Sequence, residues 1–248
     1  MTSGGPTDED LAARIADAAG RLLLQLREDR LLSGAAIGSA GDLLANGLIL
    51  AALEQWRPAD AVLSEESADG PDRLSRSRVW IVDPLDGTRE YSAGRDDWAV
   101  HVALAVDGDA AVGAVAVPQR GWLFRSDRAA APAFDRARRP RMLVSRTRPP
   151  PQAEALCAAA GAELAEMGSA GAKAMAVVAG EADIYFHAGG QHEWDNCAPV
   201  AVAKAAGLHV SRADGTPIRY NCERPFVPDL LICRQDLAPA LLEALAAL

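Results

Sequence analysis

Apolar residues recur every three or four positions through DEDLAARIADAAGRLLLQLRE, from Asp8 to Glu28. That spacing predicts an amphipathic helix, and the acids in its first turn suit a helix N-terminus. Residues 1–8, made largely of Gly, Ser, Pro and Thr, read as a disordered lead-in. A loop of small residues, SGAAIGSAG, is expected at Ser33–Gly41, with a second helix from near Asp42 to about Trp56. The apolar runs in DAVLSEES and RVWIVDP each end in acid and read as strands that deliver carboxylates. WAVHVALAV, AAVGAVAVP and GWLFRSD, separated by the turn signals DGD and PQRG, predict an antiparallel meander.

Beyond the basic connector Arg136–Arg141 the pattern changes, and we place a boundary there between residues 1–139 and 140–248. Strand MLVSR, a helix from Pro151, strand AELAEMG, helix AGAKAMAVVAG and strand ADIYFHA follow in turn. A helix starting near Asp195, strands LHVSR and DLLIC, and a terminal helix complete an alternating α/β half. GSAG occurs at Gly38–Gly41 and again at Gly168–Gly171, too short a match in an Ala-rich chain to make a repeat.

Composition narrows the partners. A net charge of −9 disfavours a nucleic-acid polymer, which needs a basic surface. It leaves room for a small anion, provided cations or a few local basic groups supply positive charge. Cys157, Cys197, Cys222 and Cys233 have irregular spacings, without a CxxC pair, and read as reduced thiols. No uninterrupted apolar run reaches about 18 residues, so no membrane span is expected. The start MTSGGPTDEDLAAR is polar and acidic, unlike a secretory signal, and a cytoplasmic protein is the expectation.

The chemistry sits in acids at strand ends: Glu65 and Glu66, then Asp83 and Asp86, and much later Asp195. A carboxylate is costly to bury alone. An oxygen-only set of this kind suits Mg²⁺, which also bridges readily to phosphate. Asp83 and Asp86, flanking Pro84, can point to one side of a turn and leave the Leu85 carbonyl available. Gly87 permits close backbone approach, and the N–H groups of Gly87 and Thr88 can meet an anionic oxygen if a helix starts there. A solvated acidic turn is the other reading of the same spacing. The absence of a Gly-Lys-Ser/Thr phosphate loop argues against a P-loop NTPase.

LSEES, WIVDPLDGTREY and EWDNCAPVAVAKAAGLHV, in that order, resemble the signature segments of the lithium-sensitive, Mg²⁺-dependent phosphatases of the inositol monophosphatase superfamily. The resemblance is strongest to the CysQ-type 3′(2′),5′-bisphosphate nucleotidases. It implies a layered α-β-α-β-α sugar-phosphatase fold. It further implies that Glu65, Asp83 and the Leu85 carbonyl hold one Mg²⁺, that Asp83, Asp86 and Asp195 hold a second, and that a third, weaker ion lies near Glu65. Thr88 would orient the attacking water, with Glu65 and Glu66 assisting its deprotonation. Gly87 and Thr88 would touch the phosphate.

One segment departs from the family pattern. Members carry a VTxAD-like stretch whose Asp pairs with the motif threonine; GDLLAN is the corresponding stretch here, with Leu43 and Asn46 at the Thr and Asp places. Asp42 either compensates or caps the helix that follows. The departure also motivates a rival reading, an inactive phosphate- or metal-binding protein.

Substrate preference follows from further resemblances. Arg89-Glu90 is similar to the Lys/Arg-Glu of the nucleotidase branch, and His187 stands where inositol phosphatases carry a Glu for sugar hydroxyls. MGSAGAK resembles the nucleotidase GSxxxK segment, which makes Ser169 and Lys173 phosphate-binding candidates; a surface lysine is the alternative for Lys173. Ser145 and Arg146 are either nucleotide contacts or a solvated strand end. His101, inside an apolar strand pattern, reads as a strand residue, and Trp98, Trp194 and Tyr185 as packing groups. The implied reaction is hydrolysis of the 3′-phosphate of adenosine 3′,5′-bisphosphate to AMP, with 3′-phosphoadenylyl sulfate as a related substrate in sulfate assimilation. Inositol-1-phosphate and fructose-1,6-bisphosphate are the alternative substrates. A homodimer is compatible with the superfamily, although no stretch identifies an interface.

Overall fold

The computed structural model describes residues 5–248, so residues 1–4 of the expected lead-in lie outside the described residues, and its end is ordered as the cap and start of the first helix. Helix α1 spans Asp8–Glu28; the Thr7 hydroxyl accepts from the Asp10 N–H, and Leu11, Ile15, Ala19 and Leu23 form its buried stripe. Helix α2 spans Ala35–Trp56, about two turns longer at its start than the expected element. Its small residues are not loop residues. A Cβ on Gly38 would stand 2.9 Å from Thr88 Cγ2, so glycine lets α2 lie against the segment that carries Thr88. Asp42 is therefore inside the helix rather than its cap.

By length and composition α2 can cross a membrane, with a mean hydropathy of 1.6 over its best window. The sequence expectation rested on uninterrupted runs and passed over this helix. Here it lies against α1, with Ala45, Ile49 and Leu53 in the core, as the helix of a packed layer does.

Strands β1 (Ala61–Ser64), β2 (Arg78–Asp86), β3 (Ala99–Val106), β4 (Asp109–Val117) and β5 (Trp122–Arg125) form one sheet in that order. β1 and β2 are parallel and the remainder is the expected antiparallel meander. A second sheet has the order β7-β6-β8-β10-β9, from β6 (Arg141–Ser145), β7 (Glu163–Met167), β8 (Ile184–His192), β9 (His209–Ser211) and β10 (Phe226–Cys233). α5 (Ala170–Val178) and α6 (Glu193–Ala205) are packed between the sheets, while α4 (Ala153–Ala160) and α7 (Ala238–Ala246) cover the far face of the second. The layers run α-β-α-β-α.

Both faces of the first sheet are covered, which is why β2 and β3 read as nearly continuous apolar runs. Trp80 and Val82 point to α1 and α2, whereas Val79 and Ile81 point to the central helices. The two sheets are also tied at the edge. Arg73, 3% exposed, donates to Asn221 Oδ1 at 2.8 Å and to the Cys222 carbonyl at 2.9 Å, and the Glu193 carboxylate accepts the N–H groups of Asn221 and Cys222. This strut joins the loop after Glu65 to the start of α6.

Candidate active site

The pairing of β2 with β3 slips at the point where the acids cluster. Asp83 lies opposite His101 and Asp86 opposite Ala99, so three steps along β2 match two along β3. Strict alternation would send residues 83 and 86 to opposite faces; the inserted residue brings both carboxylates into one place. Pro84, which has no N–H to offer a ladder, sits inside this irregularity. Gly87 follows at φ 89°, a left-handed conformation glycine adopts without strain, and Thr88–Ser92 forms the short helix α3.

Oxygen atoms of Asp83, Asp86 and Asp195 lie within 4.8 Å of one another. Asp195 arrives on the first turn of α6, held by the His192 N–H at 2.6 Å. Asp83 Oδ1 accepts from the Leu85 N–H at 3.0 Å, but its buried Oδ2 has no hydrogen-bond partner among the described residues. Such an orphaned anionic oxygen is costly. Burial and the neighbouring Glu65 and Asp86 charges push Asp83 well above the carboxylate range. Glu65, at the exposed rim, rises to about 7 through partial desolvation and the Asp195 charge, and Asp195 rises to about 6 through burial and Asp86. A crowded set of oxygens, one without a partner, fits a divalent cation; Glu65, Asp83, Asp86 and Asp195 would hold it.

Asp86 is the exception. Burial alone would raise it, yet it falls to about 2, because His101, Ser169 and the Gly171 N–H favour its charged form. Its carboxylate accepts from Ser169 Oγ at 2.5 Å, the Ala170 N–H at 3.1 Å and the Gly171 N–H at 2.6 Å. The N-terminus of α5, expected to receive a substrate anion, is thus occupied by the Asp86 carboxylate; the helix dipole serves a side chain of the first sheet. Ser169, at φ 50°, spends its hydroxyl on Asp86 and on the Ala172 N–H.

Thr88 Oγ1 lies 3.1 Å from the Leu85 carbonyl and 3.4 Å from Asp42 Oδ1. Asn46 does not reach it: its Oδ1 accepts from Ser64 Oγ at 2.8 Å and its Nδ2 donates to Ser67 Oγ at 3.2 Å. The residue facing the threonine is an acid after all, one helical turn before the position assigned from sequence, and the rival reading built on Asn46 loses its motive. Burial and the Glu66 charge raise Asp42 to about 6.

Above the acids opens a cleft of about 300 Å³, lined by Glu65, Asp86, Gly87, Thr88 and Asp195 and also by Arg89, Ser169, Lys173 and His187. Of the sequence-derived candidates, Asp83 and Leu85 are buried, and Glu66 and Arg146 do not line the cleft. Lys173 is not a surface lysine. Its Nζ is buried and donates to the carbonyls of Ser169 (2.5 Å) and Gly168 (3.2 Å), and burial lowers it to about 8. His187 Nε2 is 2.9 Å from the Gly190 carbonyl; burial lowers this group too and keeps it neutral. Arg146 turns away into Asp97 (2.5 Å) and Glu90 (3.2 Å), while Ser145, Thr147 and Arg148 reach the cleft. The sequence reading passed over Thr147 and Arg148, which follow a strand end as Ser145 does.

A model of the inositol monophosphatase family matches residues 11–247. The chain belongs to that family. It is 51% identical over 250 residues to the 3′-phosphoadenosine 5′-phosphate phosphatase of Mycobacterium leprae, covering 95% of this chain and 92% of that one. It is 29% identical to the 3′(2′),5′-bisphosphate nucleotidase CysQ of Escherichia coli K12, over 76% of this chain and 81% of the relative. The crystal structure of CysQ from Bacteroides thetaiotaomicron superposes with a TM-score of 0.76 at 26% identity, covering 91% of this chain and 96% of that one. The inositol monophosphatase of Anabaena superposes with a TM-score of 0.78 over 97% and 95% of the two chains; at 23% identity this speaks for the fold.

Proposed function

We propose that the protein is a Mg²⁺-dependent phosphatase that hydrolyses the 3′-phosphate of adenosine 3′,5′-bisphosphate to AMP, and accepts 3′-phosphoadenylyl sulfate, in sulfur assimilation. The observation that carries this reading is a cleft lined by groups of both signs: Glu65, Asp86 and Asp195 together with Arg89, Arg148 and Lys173. A bisphosphate can use both sets. Its reacting phosphate lies over the acids and its second phosphate meets the basic groups. Half-identity to relatives named for this activity supports the same substrate.

Divalent cations on Glu65, Asp83, Asp86, Asp195 and the Leu85 carbonyl would neutralise phosphate oxygens and ease ionisation of the attacking water. The chain's own groups do the rest. Thr88 orients the water by its hydroxyl, and Asp42, raised toward neutrality, takes the proton through that contact. Glu65, also near neutrality, stands at the rim as a second acceptor. The Gly87 and Thr88 N–H groups face the phosphate. Neutral His187 and Ser145 are placed to meet ribose or base, and Arg89 sits at the cleft edge.

The test is phosphate release with Mg²⁺ on adenosine 3′,5′-bisphosphate, 3′-phosphoadenylyl sulfate, inositol-1-phosphate and fructose-1,6-bisphosphate. A preference of at least about tenfold in kcat/KM for the two nucleotides, equivalent to about 1.4 kcal/mol, is expected. Preference for inositol-1-phosphate or fructose-1,6-bisphosphate would overturn the substrate assignment and leave the cation site standing.

A further inference from the structure

His101 stands where β2, β3, α5 and α6 meet. It projects from β3 directly opposite Asp83, and no part of it is exposed. Its Nδ1 lies 3.0 Å from the Trp194 carbonyl on α6, and its Nε2 lies 3.3 Å from Asp86 Oδ2 at the end of β2. Room for the ring exists because residue 171, in the first turn of α5, is glycine: a Cβ there would stand 2.0 Å from Nε2. Filling this volume needs no polar atom. Its neighbours on the same face of β3, Ala99, Ala103 and Ala105, are apolar, and burying an imidazole among them costs free energy unless its nitrogens are used.

Both contacts lead to carboxylates of the candidate cation site. Asp86 is touched at Oδ2. The Trp194 carbonyl belongs to the residue immediately before Asp195. The ring therefore spans the gap between an acid delivered by the first sheet and an acid delivered by the helix layer behind it. Ser169 Oγ and the Gly171 N–H donate to Asp86 Oδ2, which His101 Nε2 approaches at 3.3 Å without the alignment of a hydrogen bond, whereas among the described residues Oδ1 accepts from the Ala170 N–H.

We propose that His101 is a positioning residue that fixes the Asp86 carboxylate and sets its separation from Asp195, so that the pair is preorganised for a divalent cation. The inference rests on the reading of Asp86 and Asp195 as cation ligands. Groups that orient a ligating carboxylate typically contribute about 10–100-fold to metal affinity.

The experiment measures Mg²⁺ affinity by calorimetry, the melting temperature in chelator, and the Mg²⁺ dependence of phosphate release, for full-length variants. His101→Gln keeps an N–H donor at the reach of Nε2. His101→Asn keeps one only at the reach of Nδ1, and His101→Leu keeps neither. Expected are Mg²⁺ dissociation constants within about threefold of the parent for Gln and at least about tenfold weaker for Asn and Leu, with kcat at saturating Mg²⁺ recovering in Asn. Gln and Asn should melt alike in chelator. Unchanged Mg²⁺ affinity in Asn and Leu, or losses in Gln equal to those in Asn, would overturn the proposal. Should the His101 variants fail to fold, Gly171→Ala displaces the intact ring; weakened Mg²⁺ binding is expected, and parental binding would overturn the proposal. Asp86→Asn separates the two claims: if it too binds Mg²⁺ as the parent does, the ligand assignment itself fails.

Discussion

Asp42 Oδ1 approaches Thr88 Oγ1 to 3.4 Å from the inner face of α2, and the approach depends on Gly38 one turn earlier, where any side chain would collide with Thr88 or Ser92. The helix and the threonine turn are fitted to each other, so the acid's position is set by packing rather than by a flexible side chain.

Removing the proton acceptor at this contact should lower turnover while sparing substrate binding. Asp42→Asn is expected to reduce kcat by about a hundredfold or more, with KM changed little. Asn46→Asp should not restore activity to that variant, since residue 46 faces Ser64. Steady-state kinetics of the single and double variants check both statements.

Asn46 has a different part. Its amide fixes the end of β1 through Ser64 and Ser67, immediately beside Glu65. Asn46→Ala takes the acceptor from the buried Ser64 O–H, whose oxygen keeps only the Glu66 N–H, and a loss of about 1–3 kcal/mol in urea unfolding is expected.

The carboxylates give the cation-free protein a characteristic pH dependence. Glu65, Asp195 and Asp42 are raised to about 7, 6 and 6 from 4.5, 3.8 and 3.8. Across that window the folded chain keeps protons the unfolded chain has released. Their contribution is complete below about pH 4 and is lost as pH rises toward 7. Asp86 runs the other way: its contribution is present above 3.8 and is lost as pH falls toward 2. In chelator the melting temperature should fall between about pH 5 and pH 7.5 on account of the three raised acids. Mg²⁺ binds the charged forms of Glu65 and Asp195, so its stabilising effect should be larger at the higher pH. Thermal scans at both values, with and without Mg²⁺, decide it.

Arg148 lines the cleft, and among the described residues no carboxylate pairs with its side chain as Asp97 pairs with Arg146. Arg148→Ala should raise KM for adenosine 3′,5′-bisphosphate about tenfold with kcat nearly unchanged, and leave adenosine 3′-monophosphate unaffected. An equal effect on both substrates would remove Arg148 from recognition of the second phosphate.

Arg73→Leu tests the strut between the halves. It strands carbonyl and amide acceptors in the 221–223 loop, and a loss of about 2–3 kcal/mol is expected in equilibrium unfolding.

Much of this architecture is legible in the chain because burial and chemistry alternate along it. Acids at the ends of apolar runs announced Glu65, Asp83, Asp86 and Asp195, and the shift from meander to alternating strands and helices announced the two sheets. The start of α2 was hidden because Gly, Ala and Ser serve equally in loops and at close helix contacts, and only the packing against Thr88 distinguishes them. That ambiguity shifted the expected partner of Thr88 to Asn46. His101 was hidden for another reason: a single histidine in an apolar strand is silent until the cross-strand register puts it beside Asp83 and Asp86. Ser169 was placed correctly in the cleft, but nothing local in GSAG indicates that its hydroxyl faces a carboxylate 83 positions earlier.

The extra residue between Asp83 and Asp86 makes the site a matter of counting. Were β2 instead to pair regularly through this stretch, every acid would stay in the sequence, yet the odd separation would send the Asp86 charge to the other face, into the apolar layer beneath α2. Such a change of register, with the composition untouched, would erase the chemistry more completely than many substitutions, because what the acids share is a side of the sheet and not a distance along the chain.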